Sequence, residues 1–249
     1  MSAARLLLRQ LRRALHLDRT AGHFRHENWL LGVVEEVEEL SPTVKGFRLT
    51  LLDPSTRQAP KNTFRAGQWI DMAIPGIDLI GGFSITSSPS QLKQEGSIHL
   101  AVKFSDHPPA FWLHTLAEEG VEVELRFGGE FYFQPELSKA PLLLIAGGVG
   151  INPVHSMLKE TLSHDAAAPR PIHLLYSASS QEELLFKEEL KQLPISTKLF
   201  ATRAKPTSDG ICGRRMSLED VSDSLEKTRK SALLNLALPP ANVHYEKWQ

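Results

Sequence analysis

Residues 142–158, LLLIAGGVGINPVHSML, place Gly147, Gly148 and Gly150 around Val149, after a run of aliphatics and before Ile151, Asn152 and Pro153. Glycines at this point let the backbone turn sharply and let a ligand come within contact distance. Asn152 reads as an N-cap and Pro153 as the first residue of a helix whose unpaired N–H groups attract phosphate. The chemistry this suits is the binding of a pyrophosphate-bearing cofactor. The spacing departs from the six-position Gly-x-Gly-x-x-Gly fingerprint, so a tight strand-to-helix turn with no ligand also accounts for it.

Other site chemistries find less support. Cys212 is the only cysteine, which excludes an intramolecular disulfide and a cysteine-based metal site, and the ten histidines lack the paired spacing of a zinc helix. No metal site is expected. Lys and Arg total 28 against 29 Asp and Glu, a balance that gives no field for nucleic acid. No stretch approaches the roughly 20 apolar residues that span a bilayer.

The elements that must hold the glycine loop fall into two rhythms. From Asn28, short segments alternate apolar and polar residues: Phe47, Leu49 and Leu51; Ile98, Leu100, Val102 and Phe104; Val121, Val123, Leu125 and Phe127. They read as antiparallel strands with one buried face, joined by turns, with one short helix in AFWLHTLAEEG ending at Gly120 as its C-cap. Several short strands with one helix suggest a small barrel over 28–136. The division falls within QPELSKAP, 134–141. Beyond it, Leu142–Ala146 reads as a strand covered on both faces, followed by a helix with Val154, Met157, Leu158 and Thr161 or Leu162 inward. Strand IHLLYSA, helix QEELLFKEEL with a Ser180–Glu183 capping box, strand ISTKLFAT, and a helix from about Ser217 with Leu218, Val221 and Leu225 inward continue the order. The fold class expected is β plus α/β: an antiparallel barrel, then a parallel-sheet domain over 137–249.

Residues 1–27 stand apart. Arg5, Arg9, Arg12, Arg13 and Arg19 come with no acid before Asp18, and Leu7, Leu8, Leu11 and Leu15 share one helical stripe. This is the character of a mitochondrial transit peptide, with a basic tail of no consequence as the alternative.

The motif IAGGVGINP resembles the nicotinamide-dinucleotide loop of the ferredoxin reductase-like family, in which a flavin-binding barrel precedes a nucleotide-binding α/β domain. GGFSITSSP, 81–89, is similar to that family's flavin loop, Arg-x-Tyr-Ser followed by Ile, a small residue and Ser-Ser-Pro. YSASSQEELLFKEEL resembles the segment after its second parallel strand. The resemblance spans about residues 28–230. It implies an oxidoreductase that passes hydride from NAD(P)H to FAD and on to an unidentified electron acceptor. Gly147, Gly148, Val149, Gly150, Ile151, Asn152 and Pro153 would hold the nucleotide. Phe83, Ile85, Thr86, Ser87 and Ser88 would line the flavin, Ser84 would stand at its redox-active nitrogen, and Trp248 would cover the ring. NAD is favoured over NADP because SASSQEE supplies acids and no arginine for a 2′-phosphate.

Several positions depart from the family pattern. Gly81 replaces the arginine that pairs with the flavin diphosphate, a contact worth about 1.5 to 3 kcal/mol, or one to two orders in affinity, unless Lys103 or Arg126 substitutes. SDHPPAFW stands in the second phosphate loop, where two prolines remove N–H donors. The hydroxyls of Ser84, Thr86, Ser87 and Ser88 also suit a strand end and turn with local bonds. The closing Cys-Gly-Pro-x-x-Met segment is missing from its place; ICGRRM precedes a helix, so Cys212 reads as a bystander and the second domain as C-terminally incomplete. These departures motivate an alternative: a catalytically impaired nucleotide- or partner-binding protein.

Overall fold

The computed structural model describes residues 16–61, 63–203 and 210–231. A short helix α1 (His16–Arg19) leads into strands β1 (Leu30–Ser41), β2 (Val44–Leu52), β3 (Trp69–Ala73) and β4 (Gly81–Ser84). Helix α2 (Pro89–Glu95), strand β5 (Ser97–Lys103), helix α3 (Pro108–Thr115) and strand β6 (Glu122–Gly128) complete the first unit. The six strands form one antiparallel sheet in the order β4-β3-β6-β1-β2-β5. Its two edges meet where Ile85 bridges Leu100 and the Thr86 N–H donates to the His99 carbonyl, 2.8 Å. Register shifts at Val34/Glu36 and Glu39/Ser41 bend β1, which closing a sheet requires. The alternation is visible in the core: Leu49, Leu51, Ile70, Met72, Ile98, Leu100, Val123, Leu125 and Phe127 are all buried.

The second unit contains β7 (Leu142–Gly147), a 3-10 turn (Gly148–Gly150), α4 (Ile151–His164), β8 (Ile172–Ala178), α5 (Lys187–Gln192), β9 (Ser196–Ala201) and α6 (Leu218–Ser231). The strands are parallel in the order β7-β8-β9. Val154, Met157, Leu158 and Thr161 face inward from α4.

Local rules fail where distant partners compete. The helix expected to end at Gly120 stops at Thr115, and the Gly120 N–H instead bonds the Val34 carbonyl at the turn into β6. Phe104 is 46% exposed because the barrel strand has ended. The expected helix over 181–190 forms only from Lys187, since Phe186 at φ 57° breaks it. Its capping box does not form either. The Glu183 carboxylate accepts hydroxyl hydrogens from Ser41 (3.2 Å) and Thr43 (2.7 Å) of the barrel instead. Leu142–Ala146 is not covered on both faces: β7 is an edge strand among the described residues, and Ile145 is 47% exposed. Leu218 is exposed, while Asp220, Ser224 and Thr228 are the buried positions of α6. A capping box does exist there, between Ser217 and Asp220.

Residues 1–15 of the leader region lie outside the described residues, and so do 232–249, including Trp248. Residues 16–27 are packed on the barrel. The His16 Nε2, Arg25 Nε and Arg126 Nε all bond the fully buried Asp71 carboxylate, at 2.8, 2.8 and 2.7 Å.

Asp53 and Glu182 sit below their ordinary range through local hydrogen bonds, and four carboxyls do so through partners that the fold brings to them. Arg170 lowers Asp165, Arg214 lowers Asp220, His155 lowers Glu189, and at Asp71 hydrogen bonds from His16, Arg126 and Arg25 outweigh a burial that alone would raise it. The unfolded chain takes up their protons first as pH falls, so their stabilisation is present above about pH 4 and lost below it. Thermal midpoints should hold steady from pH 7 to 5 and drop steeply from pH 4 to 3. A midpoint that stays level down to pH 3 refutes this coupling.

Candidate functional site

The glycine loop lies at the carboxyl end of β7, with Gly147 extended and Gly148 at φ +53° in the left-handed region. A Cβ built on either glycine meets no atom within 4 Å, so the space over both is open. The space over Gly148 belongs to a cavity of about 220 Å³. Gly148 and Val149 form one wall, and Ser177, Ala178 and Ser179, at the end of β8, form another. The barrel contributes Val44 and Lys103, and Glu183, Leu185 and Thr202 complete the lining. Tyr176 holds the Glu183 segment: its hydroxyl donates to the Glu183 carbonyl (3.3 Å) and accepts from the Leu185 N–H (3.1 Å), and burial pushes its pKa up.

Asn152 is not the N-cap. Gly150 holds that place, and Asn152 lies inside α4, where its Nδ2 donates to the Ala101 carbonyl at 2.7 Å. Pro153 is the third helical residue, a place whose N–H has no partner within the helix in any case. Ile151 is fully buried beneath the loop. Two more α4 side chains reach the barrel: the His155 Nδ1 lies 3.0 Å from the Thr86 carbonyl, and the Ser156 Oγ donates to the Ser87 carbonyl at 2.6 Å. His155 also stacks on Phe186, with ring centroids 4.1 Å apart, and its Nε2 is 3.2 Å from Glu189. The 3-10 turn that leads into α4 lines the cavity, and α4 ties the two units together.

The flavin-loop residues divide into groups. Ile85 is a core residue in the closing bridge. The Ser87 Oγ accepts the His99 N–H (2.9 Å), and the Ser88 Oγ caps α2 by accepting the Gln91 N–H (3.1 Å); Thr86 contributes its backbone. These are the local bonds of a strand end and turn. Ser84 is buried, and its Oγ has no partner among the described residues. Phe83 is half-buried against the barrel core. Neither cation considered as a replacement for the arginine at 81 serves that role: Arg126 is committed to Asp71, and Lys103 lines the cavity beside Gly148.

Sequence reasoning gave Lys103 to the flavin side and met Glu183 only as one of the acids of SASSQEE and as a capping-box residue; the structure puts both in the cavity wall. Ser177–Ser179 carried a usable signal, since ligands in open α/β sheets bind outside the carboxyl ends of strands. Cys212 pairs with β9 through bonds to Leu199 and Ala201 and does not line the cavity. Among the described residues no cluster of three or more His, Cys, Asp or Glu is placed to hold a metal. No helix among them is long and apolar enough to cross a membrane.

The oxidoreductase NAD-binding domain family model matches residues 144–234. Over 280 residues the chain is 46% identical to oxidoreductase NAD-binding domain-containing protein 1 of Danio rerio, covering 95% of this chain and 98% of that relative. The chain belongs to this family. The Homo sapiens member is 42% identical, with 97% of this chain and 87% of the relative covered. In fold, the oxidoreductase NAD-binding domain-containing protein 1 family is ferredoxin reductase-like. The flavohem-like FAD/NAD-binding domain of nitric oxide dioxygenase from Vibrio cholerae superposes with a TM-score of 0.66 over 87% of this chain and 97% of its own, at 20% identity. By family, then, the chain stands among the NAD-binding oxidoreductases.

Proposed function

We propose that the protein binds NADH in the cavity beside Gly147 and Gly148 and passes reducing equivalents to a flavin ring at Phe83 and Ser84, and then to a separate electron acceptor. The observation that carries this reading is the open glycine cradle facing Lys103. Its residues fit a dinucleotide. The α4 N-terminus and the Lys103 ammonium supply positive charge for the diphosphate, and the missing Cβ atoms leave room for it. Nicotinamide and flavin would supply the hydride chemistry, while the protein aligns the rings and excludes water.

Glu183 selects between nucleotides. Held by Ser41 and Thr43, its carboxylate can accept a hydrogen bond from a ribose 2′-hydroxyl and repels a 2′-phosphate. Calorimetric titration of the purified chain should show NADH binding at least about tenfold tighter than NADPH, a difference of about 1.4 kcal/mol. Glu183→Gln should narrow that ratio to about threefold. Failure of both nucleotides to bind removes the proposal.

A second reading, a nucleotide-binding protein without turnover, is favoured by Gly81 and by the two prolines that open α3. Bound NADH that reduces no dye in the presence of added flavin would select it.

A further inference from the structure

The cavity beside Gly148 is walled by both units, and the tip of the β1–β2 hairpin stands behind its acidic residue. Ser41 and Thr43 flank Pro42 at that tip, where Ser41 pairs with Val44. The tip is fastened on several sides. The Thr43 carbonyl accepts the Phe104 N–H (2.8 Å), Val44 pairs with Lys103 at the end of β5, and the Thr43 N–H donates to the Ser41 Oγ (3.3 Å). Val44 is itself buried in the apolar cluster of the second unit, with Ala146 and Ile151.

Glu183 is gripped at both ends. Its backbone carbonyl accepts from the Tyr176 hydroxyl of its own unit (3.3 Å), and its carboxylate accepts from the barrel. The Ser41 hydroxyl donates to Oε1 at 3.2 Å and the Thr43 hydroxyl to Oε2 at 2.7 Å. Each oxygen takes one hydrogen bond, which leaves a lone pair on each for a ligand. Both donors are neutral. A lysine or arginine in their place would offset the carboxylate charge, whereas hydroxyls fix its direction and leave the charge intact. An untethered glutamate must also give up rotamer freedom to meet a ribose, and one already held at both oxygens gives up little.

We propose that Ser41 and Thr43 are positioning residues for nucleotide choice: the barrel hairpin, in a different unit from the glycine loop, aims Glu183 at the ribose 2′-hydroxyl and so sets the preference for NADH over NADPH. This rests on the reading that the cavity takes NADH with Glu183 at the ribose. It adds that selection is lost when the two hydroxyls are removed, even though the carboxylate remains.

Calorimetric titration of the full chain and its variants with NADH and NADPH tests it. Ser41→Ala/Thr43→Val should narrow the affinity ratio from about tenfold to about threefold, mainly through weaker NADH binding. Thr43→Val alone should move the ratio in the same direction, and Thr43→Ser, which keeps the hydroxyl of the shorter bond, should hold the parent ratio. In a Glu183→Gln background the double change should leave the ratio where Glu183→Gln alone puts it, because the hydroxyls act through that carboxylate. Equal weakening of both nucleotides would mark a merely structural contact and overturns the inference, as does an unchanged ratio in the Thr43→Val variants while Glu183→Gln still narrows it. If Glu183→Gln leaves the ratio unchanged, the placing of Glu183 at the ribose falls and takes the inference with it. If the parent chain binds neither nucleotide, the cavity assignment falls as well.

Discussion

Gly148→Val should lower NADH affinity by about a hundredfold or more while leaving the barrel folded. Two effects combine at this position. Gly148 sits at φ +53°, a conformation that costs an L-residue about 1 to 2 kcal/mol and a β-branched one more. The new side chain also projects into the cavity, because nothing stands within 4 Å of the Cβ position. Together they make about 3 kcal/mol, or roughly two orders in affinity. Gly148→Ala carries the backbone cost and a smaller obstruction, so it should lose about tenfold. The measurement is NADH titration of both variants alongside circular dichroism. A valine variant that binds NADH within threefold of the parent would show that the nucleotide does not cross this loop.

Asp71→Ala should destabilise the barrel by about 3 to 5 kcal/mol, the usual cost of leaving buried charges without their partner. Asp71 is fully buried and accepts from one imidazole and two guanidiniums. Without it, Arg25 over Trp69 and Arg126 over Trp29 keep their aromatic contacts but face each other and His16 with no counter-charge. For a chain of this size the thermal midpoint should fall by roughly 10 °C. Proteolysis within residues 16–27 should accelerate before the rest of the barrel is cut. A loss below about 1 kcal/mol would mean that solvent or chain relaxation neutralises the cluster.

The parts legible in the sequence are those set by short-range periodicity. Alternation marked β2, β5 and β6, and the glycine turn followed by an apolar helical stripe marked β7 and α4. The illegible parts depend on contacts far apart in the chain. Asn152 has the residue type of an N-cap, but a carbonyl 51 residues away takes its amide. Glu183 has capping-box spacing, but hydroxyls 140 and 142 residues away hold it in the cavity wall. Gly81 shows by its type that an arginine is missing, yet only the folded chain shows that Phe83 and Pro109 have closed the gap. Lys103 reads in the sequence as a stand-in for the flavin arginine, but the end of β5 places it in the cavity wall beside Gly148.

The arm that carries His16 and Arg25 also limits how the N-terminus can be trimmed. A cut after Arg25 would remove two of the three donors to Asp71 and uncover Gly82, and a cut after His16 would remove one. Asp71 thus makes residues 16–25 part of the barrel rather than a detachable arm.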